Sequence, residues 1–107
     1  GNDGRQAREG SMKIRWLPVA VRAQRALIDY IASDSASAAL AQSIALGNQV
    51  NLLASYPELG RPGRVPGTRE LVVAETPYIV VYRVRPRIRC VEIMRVLHGA
   101  QKWPPCG

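Results

Sequence analysis

Hydrophobic spacing changes period twice along this chain. Ala20, Ala23, Leu27 and Ile31 recur at helical spacing, with Val19, Val21, Ile28 and Tyr30 widening the apolar face, so a helix is predicted from about Val19 to Ser33. Pro18 suits its first turn, where a missing N–H costs nothing. Ahead of it, Met12 to Trp16 reads as a short strand. A second helix is predicted across the alanine-rich stretch from Ala36 through Ser55, capped by Asp34 or Ser35, with Ala39, Leu46, Val50 and Leu53 on one face. Gly47 in its middle costs about 1 kcal/mol relative to alanine, and a close approach to the first helix would explain it. The connector is so short that the two helices must fold back as an antiparallel hairpin.

Tyr56-Pro57 ends the helical half, because the residue before proline is pushed out of the helical region. From Glu58 to Gly67 the chain carries Gly60, Pro62, Gly63, Pro66 and Gly67 with Arg61 and Arg64, a basic loop. Beyond it the period falls to two. Strands are predicted at about Thr68 to Ala74, Tyr78 to Arg85 and Ile88 to Leu97, with turns at Thr76-Pro77 and Pro86-Arg87 that make an antiparallel meander. Alternation in the second of these puts Tyr78, Val80, Tyr82 and Val84 on one face, with Ile79, Val81, Arg83 and Arg85 on the other. In the third, Arg89, Val91, Ile93, Arg95 and Leu97 alternate with Ile88, Cys90, Glu92, Met94, Val96 and His98. Neither face there is wholly polar, as expected of a central strand. The order β-α-α-β-β-β predicts an α+β fold.

With 107 residues, 47% of them hydrophobic, the chain can bury one modest core. A single domain is expected over residues 12–107. Residues 1–11 lack any large apolar side chain, and a Gly-Ser pair precedes Met12, so they read as a disordered cloning remnant. The net charge is +7, and the excess is +2 from Met12 to Tyr56 against +5 from Pro57 onward. That field favours an anionic partner: RNA, DNA or an acidic protein segment. Two cysteines, Cys90 and Cys106, make neither a disulfide framework nor a metal site, so a reducing cytoplasm is expected, with no metal and no cofactor. No apolar run reaches the roughly 18 residues needed to cross a bilayer, so no membrane partner is expected.

Three features could carry chemistry. His98, the lone histidine, closes an apolar strand before Gly99; it could transfer a proton near neutral pH or simply bond the backbone of the turn. Arg69, Arg83 and Arg95 lie on neighbouring strands, and Arg61 with Arg64 lies in the loop that feeds them. If these side chains share a face, they form a groove for phosphate; if not, they are solvated charges. Trp103, beside Lys102, could stack on a base or close the edge of the core. Trp16 and Tyr30 read as packing residues, and Arg22 with Arg25 as a solvated face.

Four short pieces carry a likeness: Tyr56-Pro57-Glu58-Leu59-Gly60-Arg61, Arg69-Glu70-Leu71, Pro77-Tyr78 through Tyr82-Arg83-Val84, and Val96-Leu97-His98. In this order and spacing, from Met12 to Pro104, the chain resembles the RelE/ParE superfamily of bacterial toxins and plasmid stabilisation proteins. That resemblance implies the RelE-like fold, a helical hairpin on a small antiparallel-meander sheet. It also implies a type II toxin neutralised by a cognate antitoxin and acting either on DNA gyrase, as ParE-like members do, or as a ribosome-dependent mRNA interferase, as RelE-like members do. For the nuclease, Arg69 and His98 sit at matching places, and Arg95 would join them as catalytic residues. For target or nucleic-acid binding the residues would be Arg61, Arg64, Arg69, Arg83, Arg95, Lys102 and Trp103. The nuclease pattern Tyr-Arg-x-x-Tyr is here Tyr78-Ile79-Val80-Val81-Tyr82, and the loop before it holds no lysine, which brings the chain nearer to the ParE-like members.

Overall fold

The computed structural model describes residues 11–99. Lys102, Trp103 and Cys106, singled out above, and the expected remnant through residue 10 lie outside them. Strand β1 (Lys13–Trp16) leads into helix α1 (Pro18–Ala32), which turns through three residues into helix α2 (Ala36–Leu52). Proline opens α1 as expected. Of the two possible caps on α2, Ser35 serves: its Oγ accepts the Ala38 N–H at 3.1 Å.

Four strands follow: β2 (Arg61–Pro62), β3 (Arg69–Val72), β4 (Tyr78–Arg85) and β5 (Cys90–His98), with a 3-10 turn at Pro86–Ile88 before β5. They form a five-stranded sheet in the order β1-β5-β4-β3-β2. The expected meander is present in β3, β4 and β5. It is extended at both edges: β2 grows out of the basic loop to pair with β3, and β1 lies parallel to β5. The sheet is therefore mixed, and β5 is central, as its two apolar faces imply. Its start shifts from Ile88 to Cys90 because Pro86–Ile88 curls and Arg89 takes a left-handed φ of 53°.

One face of the sheet carries the helical hairpin. Ala20, Leu46, Val50 and Leu53 meet Leu71, Val73, Tyr78, Val80, Tyr82, Val91, Ile93 and Val96 in one core. The helical faces predicted from spacing are the ones buried, Ala23, Leu27 and Ile31 being packed against that core. Trp16 packs there too, whereas Tyr30 is 78% exposed and is not a packing residue. Gly47 likewise departs from expectation: a Cβ there would meet nothing within 4 Å, so no close approach to α1 explains it.

The simple alternation expected along β5 fails at one point. Val81 pairs with Arg95 but Tyr82 pairs with Ile93, leaving Met94 as an extra residue in a β-bulge. An inserted residue reverses which face each later side chain takes. Val91 and Ile93 enter the core before the bulge and Val96 after it, and Arg95 is turned to the opposite face.

Tyr82 ties the loop after α2 to the sheet. Its hydroxyl donates to Pro57 O at 2.8 Å and accepts the Gly60 N–H at 2.8 Å. Residue 60 must be small, since a Cβ would come within 2.8 Å of the Tyr82 ring and hydroxyl. Tyr82→Phe removes both bonds and strands two backbone groups. A loss of about 1–3 kcal/mol is expected, measurable as a lower midpoint in urea with an unchanged slope.

Candidate functional site: an arginine face built on two buried carboxylates

The side of the sheet away from the helices is where the arginines collect. Register sets them in rows. Arg61, Glu70, Val81 and Arg95 line up across β2, β3, β4 and β5; Arg83, Glu92 and Arg15 line up across β4, β5 and β1. Arg85, Cys90 and Lys13 form a third row. Beside the first runs an apolar row of Val72, Ile79 and Leu97.

Glu70 and Glu92 organise this face. The Glu70 side chain is 1% exposed, yet it accepts the Arg64 backbone N–H at 2.9 Å, Arg64 Nε at 3.1 Å and Arg61 Nη2 at 3.3 Å. Glu92, 6% exposed, accepts Arg83 Nε at 2.6 Å and lies 3.5 Å from Arg85 and 3.8 Å from Arg15. The guanidiniums stay open to solvent, from 40% exposed at Arg83 to 64% at Arg15. Negative charge therefore sits underneath and positive charge on top.

Burial of Glu70 favours its neutral acid, but the hydrogen bonds from Arg64, its charge and the bond from Arg61 outweigh this and hold the pKa below the ordinary value. At Glu92 the Arg83 hydrogen bond dominates; burial opposes it, and the charges of Arg83, Arg85 and Arg15 add to the lowering. Both carboxylates are ionised at neutral pH. Two of them among seven cations leave the face with a positive excess.

Arg69 is not part of it. Paired with Tyr82, it lies on the helix side of the sheet, where its Nη1 donates to Gly60 O at 2.7 Å and fastens the same loop that Tyr82 holds. His98, exposed at the end of β5, pairs with Tyr78 at the far end of β4, and Gly99 N–H closes the turn on Pro77 O at 2.6 Å. Arg69 and His98 are thus about 13 Å apart along the strands and two spacings of about 4.8 Å apart across them. Arg95 is on the other face. The three residues considered for catalysis do not converge. Of the binding candidates, Arg61, Arg64, Arg83 and Arg95 do share the outer face, joined by Arg85, which alternation along β4 already set beside Arg83, and by Arg15 and Lys13 of β1, which carried no such signal. Glu70 and Glu92 were missed as well, although two acids inside strands of valine, isoleucine and arginine were a signal.

Residues 14–103 match the family described as the ParE toxin of the type II toxin-antitoxin system parDE. The chain belongs to the ParE toxin family. A Sinorhizobium fredii protein named "Putative toxin Y4kP" is 45% identical over 92 residues, covering 86% of this chain and 93% of its own length. Among solved structures, a chain of the chromosomal ParDE toxin-antitoxin system from P. aeruginosa aligns with a TM-score of 0.72 at 26% identity, over 84% of this ParE chain and 98% of that one. A chain of the RelBE2 toxin-antitoxin complex from Mycobacterium tuberculosis aligns at 0.58 and 24% identity, over 82% and 98%, and shares the fold. As a ParE-family toxin, the chain presents arginines across the outer face of its sheet, held there by two buried carboxylates.

The two carboxylates make a stability prediction. Their folded pKa values lie below the unfolded glutamate value of about 4.3, so the stability they contribute is complete above that pH and is lost as pH falls through the folded values. Glu70→Gln or Glu92→Gln is expected to lower stability at pH 7 by about 1–3 kcal/mol and to flatten the acid limb of the stability curve. Denaturant unfolding from pH 7 to pH 3 measures both effects.

Proposed function

We propose that this ParE-family chain arrests growth by binding DNA gyrase through its arginine face, and that the acidic segment of a cognate antitoxin neutralises it by covering that face. A toxin acting on gyrase works in the cytoplasm. What carries it is the lack of convergence among Arg69, Arg95 and His98: proton transfer requires groups within about 3 Å of the reacting atoms, and here Arg95 lies on the opposite sheet face from Arg69 and His98, which are themselves two strands apart and about 13 Å apart along them. Ile79, where the nuclease pattern has arginine, adds an apolar side chain between Val72 and Leu97. Leu97 is already buried, but exposed Val72 and half-buried Ile79 give an antitoxin segment apolar anchors beside guanidiniums, which hold carboxylates through paired N–H donors.

Purified protein is expected to inhibit gyrase supercoiling and to trap cleaved DNA. Arg83→Ala and Arg95→Ala, checked for folding by circular dichroism, should weaken that inhibition, while His98→Ala should leave it near wild type. Codon-positioned cuts in mRNA on ribosomes, with gyrase unaffected, would reverse the choice and make the RelE-like mRNA interferase the function. Antitoxin affinity should fall as salt rises, because the attraction is between exposed charges. Unimpeded growth of cells with soluble, antitoxin-free protein would refute the toxin reading.

A further inference from the structure

Along β4 the outer-face positions are Ile79, Val81, Arg83 and Arg85, so this face changes character halfway. At one end lies the apolar row of Val72, Ile79 and Leu97, and Arg61 and Arg64 are drawn onto Glu70. At the other end, Arg83 and Arg85 on β4 stand across β5 from Arg15 and Lys13 on β1, with Glu92 and Cys90 between them. Two columns of cations result, about 9.6 Å apart across two strand spacings, with about 6.6 Å between the members of each. The turn beyond adds Arg87 and Arg89, both exposed, and Arg89 Nη2 reaches back to donate to Ser11 O at 3.3 Å, just ahead of β1. Among the described residues of these strands and this turn, six cations thus accompany one carboxylate, Glu92.

We infer that the basic end of the face, at the turn between β4 and β5, seats the phosphate backbone of duplex DNA. This rests on the gyrase reading only in that gyrase is what brings a duplex to the toxin. Charge and the lack of anchors select the occupant. A duplex carries one negative charge per about 1.7 Å of its axis, and cations that neutralise phosphates release condensed counterions. Acidic protein segments bind instead through apolar anchors flanked by carboxylates; apart from Ile88 in the turn, this end exposes no large apolar side chain. Single strands use aromatic platforms for their bases, whereas the exposed aromatic side chains among the described residues, Tyr30 and Tyr56, lie on α1 and in the loop after α2. Phosphate contacts position a protein without reading bases, so the binding is independent of sequence. Glu92 keeps Arg83 and Arg85 in place while leaving them 40% and 47% exposed, so their freedom is already reduced before a phosphate arrives.

Fluorescence anisotropy of a labelled duplex, titrated with the purified chain at several salt concentrations and without gyrase, tests this. Wild type is expected to bind in the micromolar range at low salt, with the logarithm of affinity falling against that of salt at a slope of about −4, since each phosphate contact contributes about −0.9. Lys13→Ala combined with Arg87→Ala, at exposed positions that do not bond Glu92, should bring the slope to about −2. Arg22→Ala combined with Arg25→Ala removes the same two charges from exposed positions on α1 and should leave the slope at its wild-type value. Absence of binding at low salt overturns the inference, as does equal weakening by both pairs, which marks a response to net charge alone. Tighter binding of poly-glutamate or of single-stranded RNA than of the duplex overturns it as well, in favour of an acidic protein or an RNA. Supercoiling inhibition is read separately: if it persists in a chain that does not bind the duplex, this inference fails and the gyrase reading stands.

Discussion

A carboxylate can be taken out of water only if positive charge and hydrogen-bond donors go with it. Glu70 and Glu92 impose that condition on the outer face of the sheet, and much of the rest follows. Arg61 and Arg64 are drawn down onto Glu70, which folds the proline- and glycine-rich loop against β3 and lets β2 form. Arg83, Arg85 and Arg15 gather over Glu92 from three positions on two strands. The same contacts hold the guanidiniums at defined places with their outer edges in solvent. A partner that meets this face therefore finds donors already positioned, with less side-chain freedom left to lose.

The bulge at Met94 decides the composition of both faces of β5. Without it, the side chains after Ile93 would keep strict alternation, putting Arg95 into the core and Val96 into solvent. One extra residue reverses the phase. The core keeps its valine and the outer face gains the arginine that ends the Arg61-Glu70-Val81 row. Local twist at the bulge thus serves packing and surface chemistry together.

Charge is layered in this molecule. Arginines and the two glutamates occupy the outer sheet face, the apolar core fills the middle, and of the two helices on the opposite side α1 exposes Arg22, Arg25 and Asp29 while α2 carries no charge. The loop from Tyr56 to Gly60 joins the two layers, clasped by Tyr82 and Arg69. Arg69 belongs to this clasp, so its prominence in the sequence reflects the folding of the loop.

What depends on neighbours along the chain was legible from the sequence. Helical spacing found both helices and their buried faces, proline and serine marked their starts, and period-two stretches separated by Thr76-Pro77 and Pro86-Arg87 gave the meander. Family likeness came from the order of short motifs. What depends on pairing across the chain was not legible. The parallel match of β1 with β5 joins segments some seventy-seven residues apart in register, and nothing local encodes it. Gly47 suggested a tight helix contact that the packing does not make. Most of all, membership of a face is a product of register: Arg61, Arg83 and Arg95 became one surface, and Arg69 and His98 were separated from it, because strand pairing and a single inserted residue set which side of the sheet each side chain must take.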